Sequence, residues 1–226
     1  MEQNKKVLII EDDQEINQLL QVIVAKNNLE AIAAYSGTEA LLQLNSQAFD
    51  LVLLDLMLPG ISGEELIAKI REVSLVPIIV ISAKKDLADK VSVLKIGADD
   101  YITKPFNEEE VAVRMEVQLR RSTANAVVNN ELSWKGLVLN TDKLTAILEG
   151  CPLTLTNAEF DILLLLIQRP EQAFSKRHIY EKIWKGVYVG DDNTISVHVS
   201  NIRKKISAVT SDEYIKTVWG IGFMLV

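Results

Sequence analysis

The chain has 226 residues, 48% of them hydrophobic, which suits one or two domains that each bury a core. Its net charge of −7 is uneven: residues 1–121 hold 13 Lys and Arg against 20 Asp and Glu, and residues 122–226 hold 11 of each, so a surface for polyanions can arise only in the second half, by local clustering. Cys151 is the only cysteine, which excludes an internal disulfide and fits a reducing compartment; with two histidines it also excludes a Cys/His zinc site, and no apolar run reaches the ~18 residues of a membrane span.

The opening Met1-Glu2-Gln3-Asn4-Lys5-Lys6 leads into a strand without the plan of a secretory signal, so a cytoplasmic setting is expected. Strands are predicted near 5–10, 31–35, 51–54, 77–82 and 101–103, alternating with amphipathic helices near 14–27, 37–46, 63–72, 86–96 and 107–121. Regular alternation of this kind predicts an α/β doubly wound, five-stranded parallel sheet with helices on both faces, over residues 1–121. The non-periodic Ser122-Thr123-Ala124-Asn125-Ala126 opens a linker over 122–130.

A different rhythm fills 131–226. Short strand signals at 131–134, 137–140, 144–148 and 152–154, broken by Gly136, Asn140-Thr141-Asp142 and Glu149-Gly150, predict an antiparallel meander. Helices follow near 157–168, with Thr156 and Glu159 as a capping box, near 176–184, capped by Ser175, and near 193–206. A hairpin then pairs 214–218 with 223–225 across Gly220-Ile221-Gly222. Three helices closed by a glycine-turned hairpin describe an α+β winged helix-turn-helix domain.

Four apolar runs of the first half end in polar residues. They are Val7–Ile10 before Glu11-Asp12-Asp13, Leu51–Leu54 before Asp55, Pro77–Ile81 before Ser82, and Tyr101–Thr103 before Lys104. Buried parallel strands read as such runs, and sites in open α/β sheets form at carboxyl ends of strands. Asp13 alone reads as a helix cap, and Lys104 alone as a surface lysine. Together, clustered carboxylates with one lysine and one hydroxyl suit a divalent cation and a phosphoryl group. A haloacid-dehalogenase-like phosphatase would need a second aspartate where Met57 stands, and no glycine-rich phosphate loop follows any strand.

In order and spacing, Glu11-Asp12-Asp13, Asp55-x-Met57-Leu58-Pro59-Gly60, Ser82-Ala83, Gly97-Ala98-Asp99-Asp100-Tyr101 and Lys104-Pro105-Phe106 resemble the receiver motifs of OmpR/PhoB-type response regulators. Leu155-Thr156-x-x-Glu159-Phe160, Val197-His198-Val199 and Arg203-Lys204-Lys205 resemble the motifs of their winged-helix effector. The resemblance implies a CheY-like receiver and a phosphorylation-activated transcriptional regulator, not an enzyme beyond slow self-phosphorylation and dephosphorylation. Asp55 would accept a phosphoryl group from a sensor histidine kinase. Mg²⁺ would be bound by Glu11, Asp12, Asp55 and the Met57 carbonyl, Lys104 and Ser82 would contact the phosphoryl oxygens, and Tyr101 would act as the switch by turning inward. A cis peptide is implied before Pro105.

The resemblance further implies a homodimer on phosphorylation, with Lys90 pairing with Glu110, Asp100 with Arg114 and Asp99 with Arg121. Promoter DNA and RNA polymerase are the other implied partners. The third effector helix would enter the major groove, with Asn193, Thr194, Ser196, Val197, Ser200 and Asn201 as exposed candidates. Asn201 suits adenine; His198 and Arg203, supported by Lys204 and Lys205, suit the DNA backbone, and Lys216 and Thr217 on the wing suit phosphates. Trp219 stands where many wings carry an arginine.

Overall fold

Residues Val7 to Ile10 are apolar without a break, and the strand they build, β1 (Lys6–Ile10), lies inside a sheet with no edge to solvent. The computed structural model describes residues 4–119, 131–184 and 192–226. The chain divides into two compact units, Met1–Leu119 and Arg120–Val226. The segment 122–130 read as a linker lies outside the described residues.

The first unit contains β2 (Glu30–Ala34), β3 (Leu51–Leu54), β4 (Ile78–Ser82) and β5 (Asp100–Thr103) beside β1, in the order β2-β1-β3-β4-β5. Every neighbouring pair is parallel. Between them run α1 (Gln14–Lys26), α2 (Gly37–Ser46), α3 (Gly63–Val73), α4 (Leu87–Ile96) and α5 (Glu108–Leu119). Val7, Ile9, Leu51, Leu53, Ile79 and Ile81 pack with Leu20 and Ile23 of α1 and Val111 and Met115 of α5. Leu8, Ile10, Val52 and Leu54 alternate to the opposite face and are equally buried, as a sheet covered on both sides requires. Asp13 caps α1, its carboxylate accepting from the N–H groups of Glu15 and Ile16. The strand order reverses between β1 and β3, so the carboxyl ends of these two strands flank the topological switch point.

The second unit opens with the antiparallel sheet β6 (Glu131–Trp134), β7 (Leu137–Asn140), β8 (Thr145–Leu148) and β9 (Cys151–Leu153). Helix α6 (Asn157–Ile167) follows, and the Glu159 carboxylate accepts from the Thr156 N–H at 2.8 Å. Helix α7 (Lys176–Trp184) is capped by Ser175, whose Oγ accepts from the His178 N–H. Helix α8 (Asp192–Ser207) sends Ile195, Val199, Ile202 and Ile206 into the core on one stripe.

The closing hairpin pairs β11 (Ile215–Val218) with β12 (Gly222–Leu225). A strand that periodicity does not reveal, β10 (Phe174–Ser175), adds to its other edge. Two residues are too few to show alternation. Gly222 makes this third strand possible, because a Cβ there would lie 2.1 Å from the Phe174 carbonyl oxygen.

Candidate phosphoacceptor site and DNA interface

Backbone hydrogen bonds carry three functional residues one step beyond their strands. The Glu11 N–H donates to Ala34 O, the Asp55 N–H to Ile10 O, and the Lys104 N–H to Ser82 O. Each side chain therefore starts from a backbone pinned to the neighbouring strand. Lys104 Nζ lies 2.6 Å from Asp55 Oδ2 and 2.7 Å from Glu11 Oε2, which joins the ends of β1, β3 and β5. Oxygens of Glu11, Asp12 and Asp55 lie within 4.8 Å of one another. Three hard, anionic oxygens at this spacing fit a divalent cation such as Mg²⁺. The Met57 N–H donates to Asp55 Oδ1, which turns the chain after β3 around the carboxylate. The Lys104–Pro105 peptide is cis.

Burial pushes the Glu11 carboxyl up to about 7, against the downward pull of Lys104, and the nearby Asp55 charge raises it further. For Lys104, burial disfavours the ammonium, but its hydrogen bonds to Asp55 and Glu11 outweigh this and its pKa is raised. The lysine therefore stays charged and is the site's own counter-ion.

Ser82 is fully buried at the end of β4, and its Oγ accepts from the Lys84 N–H at a long 3.4 Å. Tyr101 is buried, with its hydroxyl donating to Lys84 O at 2.6 Å and the Lys90 ammonium 5.7 Å from its ring centre. Burial raises the Tyr101 pKa, so the phenol remains a donor. Tyr101 points inward in this structure.

The α4–β5–α5 surface differs in part from expectation. Asp99 is 0% exposed, and its carboxylate accepts from Arg71 NH2 at 2.9 Å and from the Ile78 N–H. It is not on the surface as expected, because it pairs with the largely buried Arg71 guanidinium and fastens the start of β4. Arg121, its expected partner, lies outside the described residues. Arg114 pairs within its own chain with both Asp100 oxygens and with Glu110.

In the second unit, Asn193 and Lys204 are exposed and Ser196 and Ser200 half-buried, whereas Thr194, Val197, His198 and Asn201 are buried. The exposed-face reading of Thr194, Val197 and Asn201 is corrected, as is the DNA-backbone contact expected of His198. Helix α8 is flanked by α6 and α7 and tied by Arg203 to β11, which leaves only a narrow strip of it to solvent. His198, 0% exposed, stacks on Trp184 with ring centres 5.8 Å apart, so it supports α7 instead of reaching DNA. Lys205 pairs with the buried Glu159 at 2.6 Å. Arg203 donates from Nε and NH2 to Ile215 O and from NH2 to Thr217 Oγ1, committing three of its five N–H groups to β11. Lys216 and Trp219 are exposed.

A cleft of about 580 Å³ lies between α8, the hairpin and the start of α7, and Lys176 and Arg177 line it. Neither was singled out from the sequence. The signal was available: two cations in the first turn of a helix oppose its dipole, so the helix itself gains nothing from them.

A switch-point carboxylate cluster with a lysine counter-ion, on a chain that continues into a winged-helix domain, defines a receiver coupled to a DNA-binding effector. Residues 7–116 match the response regulator receiver domain and residues 150–225 match the transcriptional regulatory protein C-terminal domain. The chain is 37% identical over 226 residues to the regulatory protein VanR of Enterococcus faecium, with 97% of this chain and 98% of that one covered. It is 33% identical over 220 residues to the response regulator ArlR of Staphylococcus aureus, with 97% and 99% covered. The Thermotoga maritima response regulator DrrB, an OmpR/PhoB homologue, is 27% identical with a TM-score of 0.54, and 99% of each chain is covered. A RitR mutant structure shares the fold at 21% identity, with a TM-score of 0.76 and 99% of each chain covered.

The chain belongs to the OmpR/PhoB-type response regulators. It is a phosphorylation-dependent transcriptional regulator of a two-component system, and a sensor kinase and promoter DNA are its partners. No helix among the described residues is long and apolar enough to cross a membrane.

Proposed function

We propose that Asp55 is the phosphoacceptor and that its phosphorylation drives dimerisation and promoter binding. The observation that carries this is the Lys104 ammonium bridging Asp55 and Glu11 at the ends of different strands. An Asp55 oxygen attacks the phosphorus of a kinase phosphohistidine; the P–O bond forms as the P–N bond breaks, and the imidazole keeps the electron pair. Repulsion between carboxylate and phosphoryl group opposes the attack. Lys104 offsets it with a point charge, and the Ser82 hydroxyl donates to a second phosphoryl oxygen. Glu11, Asp12, Asp55 and the Met57 carbonyl would hold Mg²⁺, which supplies further charge neutralisation. Small acyl phosphates serve as alternative donors, and water slowly hydrolyses the product.

The phosphoryl group adds about −1.5 to −2 charge. It favours the arrangement in which Ser82 and Lys104 reach its oxygens and Tyr101 stays inward, because only differential affinity shifts such an equilibrium. The α4–β5–α5 face then forms a two-fold homodimer in which Lys90 meets Glu110 and the Asp100–Arg114 pairs re-form between subunits. On the effector, Asn193, Ser196 and Ser200 face bases. Lys176, Arg177, Lys204 and Lys216 face phosphates, Thr217 lies beside them, and Arg203 sets the wing against α8. The bound dimer recruits RNA polymerase, in the cytoplasm where the kinase and promoter meet.

Gel-shift titration of the protein's own upstream DNA, with and without acetyl phosphate and Mg²⁺, tests this. Phosphorylation should tighten binding, and equal affinity in both conditions contradicts it.

A further inference from the structure

Lys84 lies in the loop between β4 and α4 and is bound through its N–H, its carbonyl and its ammonium. The N–H donates to Ser82 Oγ at 3.4 Å, and the carbonyl accepts from the Tyr101 hydroxyl at 2.6 Å. The ammonium lies 2.9 Å from Glu64 Oε1 on α3 and 3.9 Å from Asp89 Oδ1 on α4. The hydrogen bond to Glu64 raises the Lys84 pKa, so the ammonium stays charged. Glu64 is a firm anchor. It follows Gly63, where a Cβ would lie 2.5 Å from Leu56 Cα and 2.9 Å from Asp55 O, so the start of α3 rests directly on the backbone of the phosphoacceptor. The far end of the loop has no comparable hold. Asp13, Ser36 and Ser62 bond to the first turns of α1, α2 and α3 through their side chains, but Asp86 makes no such bond to α4.

We propose that Lys84 is a positioning residue for phosphoryl transfer: its ammonium straps the β4–α4 loop to the frame of Asp55 and so fixes the backbone that aims Ser82. This rests on the reading of Asp55 and Ser82 above and adds what sets the geometry of the hydroxyl. The Ser82 hydroxyl also hydrogen-bonds the Tyr101 phenol. A serine hydroxyl has one proton and two lone pairs. Held on a lone pair by the Lys84 N–H, it can swing its proton from the phenol to a phosphoryl oxygen without giving up that anchor. The Tyr101 proton meanwhile stays on Lys84 O and keeps the ring inward. Both bonds depend on where the Lys84 backbone lies, which the strap decides. The Lys84 and Glu64 side chains are 33% and 27% exposed, so the pair adds little to global stability and acts on the loop.

The test is a time course of Asp55 phosphorylation by intact mass, on the full-length protein with Mg²⁺ and varied acetyl phosphate. Lys84→Met keeps the stem and removes the charge. It should lower the maximal rate on the order of fivefold, the most that a partly exposed pair supports, and leave the half-saturating acetyl phosphate unchanged. Lys84→Arg should keep most of the rate. Glu64→Gln should lose as much as Lys84→Met, and the double variant no more than either, since each removes the same pair. In Ser82→Ala the Lys84→Met loss should vanish, because the strap acts through that hydroxyl. Tetranitromethane should nitrate Tyr101 faster in Lys84→Met than in wild type. Wild-type rate and nitration in Lys84→Met overturn the strap while leaving Asp55 as the acceptor. A loss that Glu64→Gln does not share, or a raised half-saturating acetyl phosphate, makes Lys84 a direct contact of the donor and also overturns it. A wild-type protein that gains no phosphoryl group on Asp55 overturns the strap together with the reading beneath it.

Discussion

Lys104 Nζ lies 2.6 Å from Asp55 Oδ2, although the two residues end different strands and are brought together only by the sheet order β3-β4-β5. The same ammonium holds Glu11, so one cation serves two buried acids. Its removal leaves both carboxylates without that partner in a poorly hydrated site. Lys104→Ala should lower the stability of the metal-free protein by roughly 2 kcal/mol, less than the ~3–5 of a broken buried pair because Glu11 can take up a proton. Thermal unfolding with and without Mg²⁺ checks this: the cation should recover most of the loss, and a variant indifferent to Mg²⁺ contradicts the counter-ion role.

Burial holds the Glu11 carboxyl at about 7 in the folded protein, against an ordinary 4.5. Between these values the folded chain keeps a proton that the unfolded chain has released. The contribution of this group to stability therefore falls as pH rises from about 4.5 and is fully lost above about 7, by at most ~3 kcal/mol. A divalent cation must displace the same proton. Apparent Mg²⁺ affinity should climb from about pH 6 and level off by about pH 8, flattening in Glu11→Gln. Equal affinity across that window contradicts the assignment of Glu11 to the metal site.

Arg203→Ala removes three N–H donors that fasten β11 to α8. The loss should be about 1–3 kcal/mol, and DNA binding should fall for all sequences alike because the wing is no longer held. Arg203→Lys should not rescue it, since an ammonium lacks the planar fork. Amide exchange along β11 provides the check. Unchanged protection there, with weakened DNA binding, would make Arg203 a direct phosphate contact instead.

The separation between what the sequence revealed and what it hid follows from the range of each interaction. Glu11, Asp55, Ser82 and Lys104 were legible because each ends an apolar run, and a buried parallel strand leaves that local signature. The pairing of Asp99 with Arg71 joins a strand start to a helix on another part of the chain, and no local pattern announces it. On α8 the core stripe Ile195, Val199, Ile202 and Ile206 could be read from its period. His198 and Asn201 lie on its flank, where burial depends on how Trp184 and its helix pack, and periodicity carries no information about that. Strand β10 is too short to show any period, and only the missing Cβ of Gly222 hinted at a close neighbour.

Within one chain Arg114 already holds Asp100 and Glu110, so dimerisation exchanges ion pairs and adds few. The net gain per pair should be small, and the charges should act mainly through register and specificity. Arg114→Glu should shift the phosphorylated protein toward monomer in sedimentation, and adding Asp100→Arg should partly reverse this. If neither variant changes the mass of the phosphorylated species, the α4–β5–α5 face is not the interface.

Intact-mass measurement after incubation with Mg²⁺ and acetyl phosphate bears most directly on Asp55. Wild type should gain a single phosphoryl group, removed by mild base as expected of an acyl phosphate. Asp55→Asn, which keeps the shape and loses the nucleophile, should gain none, and Asp12→Ala should lose labelling through the metal site. Labelling of Asp55→Asn equal to wild type would place the phosphoryl group elsewhere and contradict the assignment.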